Sequence, residues 1–248
     1  MYDSLNKLAD WHMSDFPGEQ VVLLSDSGAD ASFVIHHFLC TFMKLQRPIV
    51  LVTAAQYFPH YTVTCMKLGA NLEKHKAAGK LKVVNFLQQS IESCGSCNVS
   101  DENTLKDLYC NIKTVVEEEF DTFDNGLVVI DDLTTFLSIG MSYTNVIKLM
   151  HYVSSLCNSK KCSFITLIHN DAVMDTDYAF YENCRLYADT EIDISGLTSG
   201  YSKDVTGHLN LTKKTVNFCG RTLYVKKKMH YCLNERSLNI FSSGSAGL

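Results

Sequence analysis

The chain opens with a mixed, polar stretch over residues 1–19, and Phe16-Pro17-Gly18 marks a turn before the first apolar run. Val21-Val22-Leu23-Leu24 is short, continuous and apolar, the pattern of a strand buried on both faces. A small polar loop, Ser25-Asp26-Ser27-Gly28-Ala29-Asp30, follows it. Val34, Phe38, Phe42 and Leu45 then recur at helical spacing, with Ile35 and Leu39 beside them. Ile49–Thr53 reads as a second strand, and Tyr61, Cys65, Leu68 and Leu72 again repeat at helical spacing. Lys82–Phe86 predicts a third strand. Residues 88–103, where Gly, Ser, Asn and Cys cluster, predict a loop. Leu105, Leu108, Ile112, Val115 and Phe120 trace a helix, and Leu127–Ile130 a fourth strand ending in Asp131-Asp132. Val146, Leu149, Val153 and Leu156 mark a further helix, and Phe164–Ile168 a fifth strand.

From about residue 189 the period changes to two. Ile192 and Ile194 alternate with Glu191 and Asp193; Val205, Leu209 and Leu211 alternate with Thr206, His208, Asn210 and Thr212. Leu223, Val225, Leu238 and Ile240 continue the pattern. Such alternation predicts antiparallel strands with one solvated face. Strand–helix alternation followed by a strand meander predicts an α/β fold, a mostly parallel central sheet with helices on both faces and a C-terminal antiparallel meander. At 248 residues, one domain spanning 1–248 is expected.

Composition narrows the function classes. The hydrophobic share of 46% and the charged share of 20% are those of an ordinary globular protein. A net charge of −5 argues against a strongly basic nucleic-acid binder, while leaving room for a local basic patch. The apolar runs are too short to cross a membrane and no secretory signal opens the chain, so cytoplasmic or nuclear residence is expected. The ten cysteines are scattered in a chain too long for a disulfide scaffold, and reduced thiols are expected. Cys94-Gly-Ser-Cys97 is the one tight pair. With no second Cys or His pair at zinc spacing, it reads as part of a flexible loop, and no metal is expected.

In an open α/β sheet, ligands bind beyond the carboxyl ends of the strands. The loop after the first strand stands there. A working phosphate loop reads G-x-x-x-x-G-K-[ST], with backbone N–H groups and the Lys on the phosphates and the hydroxyl on Mg²⁺. This chain gives Ser25, Asp26, Ser27, Gly28, Ala29, Asp30, Ala31 and Ser32. The hydroxyl survives at Ser32; Ala31 replaces the lysine and Asp30 the second glycine. Asp26 and Asp30 would repel a triphosphate, each by on the order of 1–4 kcal/mol. Asp30 reads better as a cap at the start of the following helix. Asp131 or Asp132 stands where a Mg²⁺-holding acid would, or caps the next helix near Thr134. No acid follows the second strand before Glu73 to position an attacking water. Nucleotide hydrolysis by this chain alone is therefore not expected, and no cofactor is expected.

Several stretches carry a family resemblance: His36-His37-Phe38-Leu39, His60–Gly69 (HYTVTCMKLG), Asp131–Gly140 (DDLTTFLSIG), His151-Tyr152 and Gly196–Leu209 (GLTSGYSKDVTGHL). In this order, on a lysine-free frame, they resemble the family of the sixth Elongator subunit. The resemblance implies a RecA-like fold without the usual phosphate-binding motifs. It implies a six-membered ring with the fourth and fifth Elongator subunits, attached to the larger subunits. It further implies a part in tRNA wobble-uridine modification through tRNA binding by the ring, with no catalysis by this chain.

Lys213, Lys214, Arg221, Lys226, Lys227 and Lys228 gather in the meander and could meet tRNA phosphates. The plainer alternative is a solvated strand face or an edge guarded by lysine. Two other readings compete with the ring subunit. One is a RecA- or circadian-clock-type ATPase with a degenerate site, for which only four arginines are on hand. The other is a small-molecule hydrolase using Ser32, His36 and Asp131, with His37 and His169 as further candidates; no G-x-S-x-G elbow supports it.

Overall fold

The computed structural model describes residues 3–11, 20–86, 101–120, 125–170, 178–198, 200, 202, 204–216, 219–234 and 237–242. One nine-stranded sheet runs through it, in the order β3-β2-β4-β5-β1-β6-β7-β8-β9. The strands are β1 Val21–Ser27, β2 Ile49–Thr53, β3 Leu81–Asn85, β4 Leu127–Ile130, β5 Ser163–His169, β6 Thr190–Gly196, β7 Gly207–Val216, β8 Thr222–Leu233 and β9 Leu238–Phe241. The helices are α1 Asp3–Leu8, α2 Ser32–Lys44, α3 Phe58–Lys67, α4 Leu72–Ala77, α5 Asp101–Phe120, α6 Thr134–Ser138, α7 Tyr143–Ser159 and α8 Tyr178–Tyr187.

The five expected strands of the first part are present and parallel. β6 departs from expectation. Its alternation predicts an antiparallel strand, yet it lies parallel to β1, with Val22 opposite Thr190, and antiparallel to β7. The period-two pattern arises because the face of β6 bearing Ile192 and Ile194 is buried, whereas the other bears half-buried polar groups. Two further helices, α1 and α8, emerge where no helical period is legible.

Two cores lie on opposite faces of the sheet. Alternate strand residues such as Val22, Leu24, Leu51, Val129, Ile165, Ile192 and Leu209 pack under α1, α2 and α3. Val21, Leu23, Val50, Val128, Ile130, Phe164 and Ile168 pack under α5, α7 and α8. The central strands are therefore apolar on both faces, as a parallel sheet covered by helices requires.

Turn chemistry sets where the helices stop. Tyr61 to Leu72 runs at helical spacing but is split, because Gly69 takes φ +83° and its N–H bonds the Met66 carbonyl while Ala70 bonds that of Cys65. Asn71 then caps α4, accepting the Lys74 N–H at 2.9 Å. The predicted loop 88–103 falls largely outside the described residues, except that α5 already begins at Asp101. Cys94 and Cys97 lie outside the described residues as well.

Candidate functional site

The carboxyl ends of β1, β4 and β5 meet at one edge, and they bring together Asp26, Asp131, Asp132 and His169. β1 runs on to Ser27, three residues past the apolar run, so Ser25 and Asp26 are buried strand residues rather than loop. Ser25 is tied to β6, donating its hydroxyl to Asp193 at 3.0 Å, and Asn210 of β7 reaches the same carboxylate. The loop then turns at Gly28, whose φ is +60°. Gly196 at the end of β6 lies directly against it; a Cβ on Gly196 would overlap the Gly28 carbonyl oxygen. Gly196 is needed for this close approach, and Gly28 for its left-handed φ.

Each acid of the site is already engaged. Asp26 Oδ2 accepts the Ala31 N–H at 2.9 Å, and Asp26 Oδ1 lies 2.7 Å from His169 Nδ1. Asp30 accepts the Ser32 N–H at 2.8 Å, but from the residue before the N-cap, which is Ala31, so it is neither the N-cap nor a first-turn acid of α2 as expected. The N–H groups of Ala31 and Ser32 occupy the positions that would hold phosphate in a working loop. Here both point at the chain's own carboxylates. Asp131 accepts the Ala54 N–H at 2.8 Å, the Ala55 and Gln56 N–H groups at 3.1 Å and the Tyr61 hydroxyl at 2.8 Å. It thereby staples the β2–α3 turn to the end of β4. Burial raises the Asp131 carboxyl above its ordinary range, and the bonds from Ala54, Gln56, Tyr61 and Ala55 oppose that rise. The same burial and the neighbouring Asp131 push the Tyr61 phenol up. Asp132, one residue before the N-cap Leu133 of α6, accepts the Thr134 N–H and the Thr135 hydroxyl at 2.6 Å.

Among the described residues, His169 is the cation-forming group that pairs with these acids. Its hydrogen bond to Asp26, with Asp132 and Asp30 nearby, lifts it to about 9 against the opposing effect of burial. It is therefore an imidazolium at neutral pH, with Nε2 3.8 Å from Asp132. The lysine that a phosphate loop would supply is thus replaced by a cation on β5 that faces carboxylates, not an open anion site. The hydrolase grouping is not assembled. Asp131 is occupied as above, and His36 packs on His60 and Tyr61 with its Nε2 buried and unbonded. Burial, with His60 adding to it, lowers His36 to about 4. His37 bonds Asn6 of α1 and is lowered by burial to about 3. The signals that sequence reading missed are Tyr61 and the pairing of His169 with Asp26. Tyr61 was legible only as a core position.

The basic residues separate by strand alternation. Lys214, Lys226 and Lys228 share one face of the β7–β8 ribbon, while Lys213 and Lys227 stand on the other. Lys227 is anchored to α1, donating to the Leu8 carbonyl at 2.7 Å and to Asp10 at 3.0 Å. Arg221 lies at the turn between the strands.

The profile of the Elongation complex protein 6 family matches residues 2–235. The chain belongs to this family. Curated members align along almost all of it. The Elongator complex protein 6 of Xenopus laevis is 24% identical over 259 residues, covering 98% of each chain. The human protein is 23% identical over 264 residues, again 98% of each. That of Dictyostelium discoideum is 39% identical, but over 88 residues, 36% of this chain and 25% of its own. Among solved structures, a KaiC-like protein from Pyrococcus horikoshii superposes with a TM-score of 0.58 at 14% identity, over 91% of this chain and 90% of its own. At that identity the likeness establishes the fold: a KaiC-like, RecA-type sheet carrying the antiparallel extension β7–β9. The Elongator family membership and the RecA-type frame thus agree with the resemblance read from the sequence.

Proposed function

We propose that this chain is a non-catalytic subunit of a RecA-like hetero-hexameric ring of Elongator, built with the fourth and fifth subunits and attached to the larger ones. On this reading it supports tRNA wobble-uridine modification by assembly and by tRNA binding and release. The observation that carries it is the closed strand-end site. Asp26, Asp30, Asp131 and Asp132 each bond to the chain's own N–H or hydroxyl groups. The frame of a nucleotide-binding fold is kept, while the donors that would grip a phosphate serve the loop itself. RecA-type domains pack head to tail, and a heterologous contact of that kind closes into a ring when the rotation allows. Of the basic residues, Lys213 and Lys214 lie near the turn that holds Arg221, on opposite faces of the β7–β8 ribbon, and these three are the contacts proposed for tRNA phosphates. Cytoplasmic residence, with a nuclear pool, accompanies this role.

Co-expression with the fourth and fifth subunits tests the assembly. A stable complex several times the 27.8 kDa mass of the chain is expected by native mass spectrometry. A soluble monomer that ignores both subunits would overturn the reading. Replacing Lys213, Lys214 and Arg221 by Ala should lower the salt dependence of tRNA binding by the ring, by about 0.7–0.9 in slope for each lost phosphate contact.

A further inference from the structure

β8 is twelve residues long, but β9 covers only its final part, pairing with His230 through Leu233. Along Thr222–Met229 the strand has β7 on one side and, among the described residues, no strand on the other. The direction of the backbone groups on that side follows from the turn that joins β8 to β9. There Asn234 donates its N–H to the Ser237 carbonyl, whereas the Tyr231 carbonyl accepts from Thr206 on the β7 side. Antiparallel ladders alternate. Tyr224, Lys226 and Lys228 therefore turn their N–H and C=O groups outward, past the end of β9, as a ready-made template for another strand.

Side chains along this edge are unusual for solvent. Leu223, Tyr224 and Val225 are 51%, 61% and 46% exposed, and Val216 of β7 beside them is 68% exposed. An apolar group on an open edge ordinarily invites a second copy of the same chain. Here self-pairing meets Lys226 and Lys228, which are exposed and would face like charge from a copy. Lys213 and Lys214 add to the same positive field across the ribbon. An edge built this way rejects itself and accepts a strand of opposite charge.

We propose that the Thr222–Met229 edge of β8 is a strand-addition site for an extended segment of a different protein chain, one that alternates apolar with acidic residues. Main-chain bonds to Tyr224, Lys226 and Lys228 supply the pairing. The lysine ammonium groups select the charge, and Leu223 and Val225 receive apolar side chains on the opposite face. The site stands independently of ring membership: failure to co-purify with Elongator subunits would leave it untouched.

The full chain is titrated with a fluorescein-labelled ten-residue peptide alternating Val and Glu, with its Val–Lys counterpart, and with single-stranded oligouridine. The Val–Glu peptide is expected to bind saturably, at least 10-fold tighter than the Val–Lys peptide. The double variant Lys226→Glu/Lys228→Glu should invert that order. Tyr224→Pro removes one outward N–H and should weaken binding at least 10-fold with unchanged far-UV circular dichroism, whereas Tyr224→Thr, which keeps the N–H, retains binding. Should Tyr224→Pro fail to fold, the inversion by the double variant still decides. Absence of saturable binding, equal binding of both peptides, or indifference to Tyr224→Pro in a folded chain overturns the proposal. So does oligouridine binding that needs both lysines but not the outward N–H, which would assign the lysines to RNA.

Discussion

His169 Nδ1 lies 2.7 Å from Asp26 Oδ1, joining the ends of β5 and β1 by an ion pair at the place a phosphate loop keeps for its ligand. Because His169 is raised to about 9, the stability it contributes is fully present below about 6.5 and is lost as pH rises through about 9. Its side chain is 37% exposed, so solvent screens the pair. A loss of about 1 kcal/mol is expected between these limits, followed by urea denaturation at a series of pH values. His169→Gln should flatten that slope. An unchanged slope would show that the pair contributes nothing to folding.

His36 and His37 act at the opposite end of the scale. Both are lowered by burial, to about 4 and about 3. The unfolded chain therefore takes up protons first. Stability present above about 6.5 falls as pH drops through about 4, by up to about 1.4 kcal/mol per pH unit for each ring. His36→Leu should remove part of this acid sensitivity, read as the change in denaturation midpoint between pH 7 and pH 5.

Asp131→Ala would strand the N–H groups of Ala54, Ala55 and Gln56 and the Tyr61 hydroxyl. A loss of about 3–5 kcal/mol is expected, since several buried donors go unmet at once. Asp131→Asn keeps one acceptor oxygen and should lose less. If Asp131 were instead a vestigial metal ligand with little structural part, both variants would melt near the parent temperature.

The contact between Gly196 and Gly28 can be tested alone. Gly196→Ala forces a Cβ onto the Gly28 carbonyl, and a destabilisation of about 1–3 kcal/mol is expected by thermal unfolding. Gly28→Ala should lose about 1–2 kcal/mol through its left-handed φ alone.

Millimolar ATP with Mg²⁺ should leave the melting temperature of the isolated chain unchanged, because the Ala31 and Ser32 N–H groups are already bonded to Asp26 and Asp30. A clear upward shift would favour the degenerate-ATPase reading.

How much of this was legible in the sequence depends on where each signal lives. Ile49–Thr53 and Leu127–Ile130 are found at their expected limits, because strands buried on both faces leave an unbroken apolar run. β6 misleads because its polar residues, Glu191 and Asp193, are held by Arg185, Ser25 and Asn210, and so imitate a solvated face. α1 is too short for a period to register. In α8 the buried positions, Phe180 and Cys184, are set among polar and aromatic residues. At the site, the loss of the lysine is a plain sequence fact. That Asp131 serves the backbone of residues 54–56 is not, because main-chain donors carry no letter of their own.

The place of β1 in the sheet has a consequence for how the protein is made. Among the described strands this one precedes all the others in the chain, yet its two neighbours are β5 and β6, with Val21 facing Phe164 and Val22 facing Thr190. Both edges of an apolar segment thus stay unsatisfied until most of the chain has been synthesised. Long-range parallel pairing of this kind is slow and leaves nascent chains prone to clumping. Yield from a cell should therefore respond more to chaperone supply and translation speed than the equilibrium stability of the finished sheet would suggest.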